Sequence, residues 1–350
     1  MVKAPYKVLV VDDSSIIRQA IIAILNSSND LNVVGEAANG HEALIQIPKL
    51  KPDIITLDIV MPEMDGLTAL KHIMIFYPTP TVILSSFIQE GTPITFDAIR
   101  YGAIDFINKP SNLANSASRL QKEQLIKKVC LAAKVRSNAL QYIRLKPNIK
   151  VTSTQKQGCK NLVVLGVGEG GYGTLLKIVP KLLVNNTTAY IIIFYEAAAH
   201  VDGFIRYLNH FSTVNVQRAV NNALLEVGGC YISTGEEYVT VHGERGKLTT
   251  YVSPAPFSSR RGSIDMLMFS VAENLDKHSL GVILSGAGSD GAEGLEEIVR
   301  VGGGAIIQSP VSCLYKSMAL SALNLCEAEV VVADREIATE INNFLMYSVD

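Results

Sequence analysis

Short apolar, β-branched runs recur along this chain with amphipathic stretches between them, and that alternation restricts the fold more than any other feature. In the first block the runs are KVLVVDD, LNVVGEA, DIITLDI, TVILSS and DFINKP, separated by stretches such as SIIRQAIIAIL, MDGLTALKHIMIF and TPITFDAIRYG. Runs too short for helices, each followed by a segment of helical period, predict βα units. Five of them within about 135 residues predict a doubly wound parallel sheet. The segment from Ser118 to Ala139 carries Leu120, Ile126, Val129 and Ala133 at helical spacing and closes the block.

From about Gln141 to Lys160 the sequence turns polar, with Pro147 and the run TSTQKQG, and reads as a linker. A second alternating block opens at Asn161 with NLVVLG and continues through YIIIFYE, GCYIST, LGVILSG and GGAIIQS. Within it, EEYVTVHGERGKLTTYV predicts an antiparallel hairpin turning at Gly-Glu-Arg-Gly. The organisation expected is therefore an α/β domain over 1–140, a linker over 141–160 and a second, mostly parallel α/β domain over 161–350.

Composition excludes several alternatives. A chain of 350 residues is too long for one ordinary core, and 48% hydrophobic residues against 18% charged suits parallel strands buried on both faces. A net charge of -2 argues against a bulk nucleic-acid binder. Cys130, Cys159, Cys230, Cys313 and Cys326 lack metal-ligand spacing, and their odd number fits a reduced, cytoplasmic chain. Met1 to Tyr6 has no apolar signal core, and no stretch reaches the ~18 apolar residues that membrane insertion requires.

Chemistry concentrates at the ends of the first block's strands. Asp12 and Asp13 end the first strand and Asp58 ends the third, and in an open parallel sheet such ends converge on a ligand crevice. Three carboxylates meeting there call for a cation, and an all-oxygen set with room for water suits Mg²⁺. The metal would neutralise an incoming phosphoryl group while Asp58 attacks it as a carboxylate nucleophile. Lys109, in FINKP, adds a compact positive charge, and Ser85, ending the fourth strand, offers a hydroxyl to the bound group.

Taken in order, these motifs resemble the receiver family of two-component signalling over residues 5 to 140. The resemblance implies phosphorylation of Asp58 by a histidine kinase and Ser85, Phe106 and Lys109 as the switch residues. It further implies the Val60 main-chain oxygen as an additional Mg²⁺ ligand and a cis peptide at Lys109–Pro110.

LGVGEGG, the region ending in RYLN, GSIDMLMFSVA, LSGAGSDGAEGL, GGGAIIQS and SCLYKSMALSA resemble the catalytic domain of chemotaxis receptor methylesterases of the CheB type. That family hydrolyses methyl-glutamate esters and side-chain amides on receptors with a Ser-His-Asp triad. Here the nucleophile position is Gly168 and the base position is Tyr195, fourteen residues before Asn209, so only the acid survives, as Asp290. Glu169 replaces a hydroxyl residue and puts a negative charge where an oxyanion would develop. Tyr238 stands for a second His, Ala287 for a Met and Ala319 for a Pro. Tyrosine is a poor base at neutral pH, with an ordinary pKa near ~10. His200 reads as a surface residue, and Asp290 as a cap for the helix that follows it.

Gly166, Gly168 and Gly171 also spell a dinucleotide-binding fingerprint, with Glu196 ending the next strand as a ribose ligand would. Two output classes therefore stand beside each other, a protein-binding module and a nucleotide-binding one, with an active methylesterase/deamidase of altered chemistry as the enzymatic alternative. The first is the reading adopted: a receiver controlling a methylesterase-like domain that has lost catalysis. Its expected partners are a histidine kinase and chemoreceptor cytoplasmic tails or another signalling protein.

Overall fold

The computed structural model describes residues 4–85, 92–109, 119–135, 142–147, 157–255, 262–328 and 330–347. The chain divides into two compact units, Met1–Arg144 and Leu145–Asp350. In the first, strands β1 (Tyr6–Val11), β2 (Leu31–Ala37), β3 (Ile54–Asp58), β4 (Thr81–Ser85) and β5 (Asp105–Asn108) alternate with helices α1 (Ser15–Asn26), α2 (Gly40–Leu50), α3 (Gly66–Phe76), α4 (Pro93–Arg100) and α5 (Arg119–Ala132). The strands form one parallel sheet in the order β2-β1-β3-β4-β5. Side-chain oxygens of Ser14, Asn39 and Asp65 accept from Ile17, Glu42 and Thr68 N–H and so start α1, α2 and α3.

Val8, Val10, Ile54, Val82 and Leu84 turn one sheet face onto Ile21 and Leu25 of α1 and Leu125 and Val129 of α5. Each such buried aliphatic side chain contributes about 1.5–3 kcal/mol, which makes the sheet a stiff floor for whatever sits at its edge. The expected helix over 118–139 is described over Arg119–Ala132. Leu120 is exposed there, because Leu125 rather than Leu120 falls on the sheet-facing stripe.

The second unit contains β6 (Asn161–Val167), α6 (Tyr172–Ile178), β7 (Thr188–Phe194), α7 (Ala198–Phe211), β8 (Asn215–Arg218), β9 (Ala223–Leu224), β10 (Gly229–Thr234), β11 (Glu237–His242) and β12 (Thr249–Pro254). It continues with α8 (Ser263–Leu275), β13 (Ser279–Ile283), α9 (Ala292–Arg300), β14 (Gly304–Gln308), α10 (Ser317–Leu325), β15 (Val330–Val332) and α11 (Ile337–Tyr347). Seven strands make a parallel sheet ordered β15-β14-β13-β6-β7-β10-β8. The expected hairpin is β11–β12, paired antiparallel from Glu237↔Pro254 to His242↔Thr249 and extended by β9. One sheet face, including Val164, Ile191, Ile193 and Ile283, packs on Ile264, Leu267 and Met268 of α8 and Leu295 and Ile298 of α9.

Strand order reverses beside β1 in the first sheet and beside β6 in the second. At such switch points the carboxyl ends of adjacent strands part and leave a crevice. The polar stretch between the blocks is described only over 142–147 and 157–160. At its ends Ile143 N donates to Arg100 O at 2.9 Å, and Cys159 N donates to Leu225 O at 2.8 Å. All five cysteines are free thiols. Among the described residues no helix is long and apolar enough to cross a membrane.

Candidate functional site

At the first switch point β1 and β3 deliver their carboxylates side by side. One oxygen from each of Asp12, Asp13 and Asp58 lies within 4.8 Å of the others. Asp12 and Asp58 are buried and Asp13 is exposed, so the cluster opens to solvent on one side only. Lys109 Nζ lies 2.6 Å from Asp12 Oδ2 and 2.7 Å from Asp58 Oδ2, itself nearly buried. Asp58 Oδ1 accepts from Ile59 N–H at 2.7 Å, and Asp12 Oδ1 from Ser14 N–H at 3.0 Å. Burial pushes the Asp58 carboxyl above its ordinary value, Lys109 pulls it down by hydrogen bond and charge, and Asp12 adds to the rise.

The donor set is all oxygen, anionic and compact, which fits a small hard divalent cation. Val60, two residues beyond Asp58, is exposed. Lys109 N–H donates to Ser85 O at 3.0 Å, which ties the lysine to the end of β4. Ser85 and Phe106 are both buried, and the Phe106 ring meets Phe96 of α4 edge-on at 6.2 Å. Pro110 lies outside the described residues, so the expected cis peptide does too.

At the second switch point Gly168 and Tyr195 follow the ends of β6 and β7, and Asp290 lies between β13 and α9. The Tyr195 hydroxyl donates to Asp290 Oδ2 from a buried position. The ring fits because residue 235 is Gly, since a Cβ there would collide with the Tyr195 ring. Burial first, then the Asp290 charge, pushes the phenol far above its ordinary value, so it stays a hydrogen-bond donor rather than a base. At position 168 a Cβ would run into Gly286 Cα and lie 3.1 Å from Met318 Sδ and 3.2 Å from Ala287 N. Position 168 is thus closed to a side chain by backbone as well as by the Met318 thioether.

Asp290 does not cap the helix that follows it, contrary to the expectation from sequence. It accepts from Ile264 and Asp265 N–H, at 2.9 and 3.1 Å, and so caps α8. Asp265 in turn accepts from Gly294 N–H at 2.7 Å in the first turn of α9. The two helix starts exchange caps because they lie side by side over β13 and β6. The Asp265 carboxyl is pushed up to about 7 by burial, then by the hydrogen bond and charge of Asp290. Asp265 was missed as a site residue, although GSIDMLM places an acid in a first helical turn, the signal for such a role.

Glu169 sits half-buried in the turn after β6, Ala287 is exposed, and Ala319 is fully buried in α10. A Cβ at Gly262 would lie 3.6 Å from the Tyr238 hydroxyl, which puts Tyr238 beside the start of α8. His200 is not a surface residue but half-buried in the first turn of α7, with Nδ1 4.0 Å from Glu196. In the glycine fingerprint, Gly168 N–H already donates to Ser285 O at 2.9 Å, and a Cβ at Gly170 would meet Leu314 and Tyr315. That loop's glycines serve close packing, which is the other physical reason for glycine at such a turn.

A carboxylate cluster with its lysine at the switch point of a 2-1-3-4-5 parallel sheet defines a receiver-bearing response regulator, here with a second α/β unit behind it. The response regulator receiver family model matches residues 8–121, and the CheB methylesterase model matches residues 163–341. The chain belongs to the CheB methylesterase family, with a receiver domain in front. A protein-glutamate methylesterase/protein-glutamine glutaminase of Archaeoglobus fulgidus is 37% identical over 344 residues, spanning 97% of this chain and 98% of the relative. Its counterpart in Pyrococcus abyssi is 33% identical over 331 residues, spanning 93% of this chain and 90% of the relative. The response regulator domain of Thermotoga maritima CheB is 42% identical and covers 38% of this chain and 98% of its own, with a TM-score of 0.36.

Proposed function

We propose that this chain is a phosphorylation-controlled signalling protein whose methylesterase-type unit works by binding a partner rather than by hydrolysis. A histidine kinase supplies the phosphoryl group, and Asp58 accepts it. Asp12, Asp13, Asp58 and the Val60 carbonyl would hold Mg²⁺, which when bound supplies charge neutralisation for the incoming group. Lys109 adds a fixed positive charge from the sheet side, and Ser85 offers its hydroxyl to the bound phosphoryl group. The partner belongs to chemotaxis-type signalling, with chemoreceptor cytoplasmic tails the first candidate.

One observation carries the loss of hydrolysis: the surviving acid is committed to the Tyr195 hydroxyl and two backbone N–H groups, while position 168 is a glycine packed against Gly286. A nucleophile needs a base within hydrogen-bond reach, and neither group is present. A second reading, an active methylesterase/glutaminase with altered chemistry, is favoured by the names of relatives that span 93% and 97% of the chain. The phosphoryl-acceptor reading is tested with acetyl phosphate: uptake requires Mg²⁺ and disappears in Asp58→Asn. Wild-type labelling of Asp58→Asn would remove it.

A further inference from the structure

Near the end of the first unit, Tyr142 and Ile143 pack against the end of α4, and that contact is built from several independent parts. Helix α4 ends at Arg100, and the last carbonyls of a helix have no partners inside it. Arg100 O accepts the Ile143 N–H at 2.9 Å, and Ile143 is buried by the contact. The Arg100 guanidinium donates back, to Ile143 O at 3.3 Å and to the Tyr142 hydroxyl at 3.0 Å. The Tyr142 ring stacks on Tyr101 at 5.7 Å and 7°, and Lys71 Nζ of α3 lies 4.4 Å from the centre of the Tyr101 ring. Asp97, 3.6 Å from Arg100, steadies the guanidinium.

The same helix reaches the switch residues. Phe96 precedes Arg100 by four residues, so the two share a face of α4, and Phe96 packs edge-on against Phe106. We propose that Arg100, Tyr101 and Lys71 form a clamp on the chain at Tyr142–Ile143, and that phosphorylation of Asp58 tightens it. The proposal rests on the Asp58 reading above and names where that signal leaves the receiver.

The direction follows from which features occur together. The clamp is closed in a structure in which Phe106 and Ser85 are both buried. A phosphoryl group that engages the Ser85 hydroxyl favours the arrangement with that hydroxyl drawn in and the Phe106 ring packed beneath it. A ligand shifts an equilibrium toward the state it binds better, so the phosphorylated chain populates the closed clamp more fully. Tyr142 and Ile143 belong to the polar stretch that leads to the second unit, so the clamp fixes the start of that stretch on the first unit.

Hydrogen exchange on the full-length protein, read on peptides covering 142–147, tests this with and without acetyl phosphate and Mg²⁺. The added mass of the phosphoryl group is measured in the same samples. Phosphorylation should slow exchange at Ile143 about fivefold, the scale of one cation–π or hydrogen-bond contact. Arg100→Ala should speed exchange in the unphosphorylated protein and erase the difference made by phosphorylation, while its phosphoryl uptake stays at the wild-type level. Arg100→Lys, which keeps the charge without the fork, should fall between. Unchanged exchange in a sample that carries the phosphoryl mass would overturn the clamp and leave the Asp58 reading intact. Absence of the added mass would remove the Asp58 reading and the coupling with it, and faster exchange in Arg100→Ala would then mark a fixed brace only.

Discussion

Introducing a serine at position 168, as Gly168→Ser, should cost stability whatever its effect on chemistry. The new Cβ would run into Gly286 Cα and come within 3.1 Å of Met318 Sδ and 3.2 Å of Ala287 N. The thioether end of Met318 can swing aside, but the backbone cannot easily do so. Gly168 N–H is bonded to Ser285 O, Gly286 N–H to Tyr315 O at 3.0 Å, and Met318 N–H to Gly286 O at 3.1 Å. Forcing an atom into a well-packed site of this kind costs about 1–3 kcal/mol. In a unit of about 200 residues that lowers the melting temperature of the second unit by about 2–12 °C. Calorimetry on the full chain reads the shift, and Gly168→Ala, with the same Cβ and no hydroxyl, should lose nearly as much as Gly168→Ser. Melting of both variants within about 1 °C of wild type would show that the site has room, and the packing argument would fail.

Two further outcomes follow from the cross-capped helix starts. Tyr195→Phe removes the hydroxyl bonded to Asp290 while leaving that carboxylate its two backbone donors, and should lower the urea midpoint by the equivalent of about 1–3 kcal/mol. An unchanged midpoint would mean that the pair does not hold the cleft. Asp265, with its pKa raised from 3.8 to about 7, favours the folded state while protonated, so its contribution is full below about pH 4 and lost as the pH rises through about 7. The second unit's melting temperature should therefore fall across that window relative to Asp265→Asn, and a constant difference between the two proteins would refute the assignment.

The two blocks, most of their strands and the β11–β12 hairpin were legible in the chain because buried parallel strands and helical periods leave plain marks. So were Asp12, Asp13, Asp58 and Lys109, whose types are unusual at the ends of apolar runs. Gly168 and Tyr195 were picked out by the resemblance, and they stand just past the ends of β6 and β7. What those residues touch was not. A helix start normally takes its cap from the residue just before it, and nothing local says that α8 borrows Asp290 while α9 borrows Asp265. Gly235 carries no local sign that it makes room for the Tyr195 ring. Leu120 has the right period for the core yet is exposed, because period alone leaves the phase of a helix open by a residue or two.

The central claim, an output unit that binds rather than hydrolyses, is tested most directly by methanol release from methylated receptor helices with the phosphorylated full-length protein. Removing a triad's nucleophile and base leaves only about 10³–10⁴-fold acceleration over water, from the oxyanion site and binding. Glu169, in the turn after β6, should lower even this remainder. The expected result is at most that small residual release, unchanged by Asp290→Ala. Release well above that residual which Asp290→Ala abolishes would contradict the account and establish a working hydrolase.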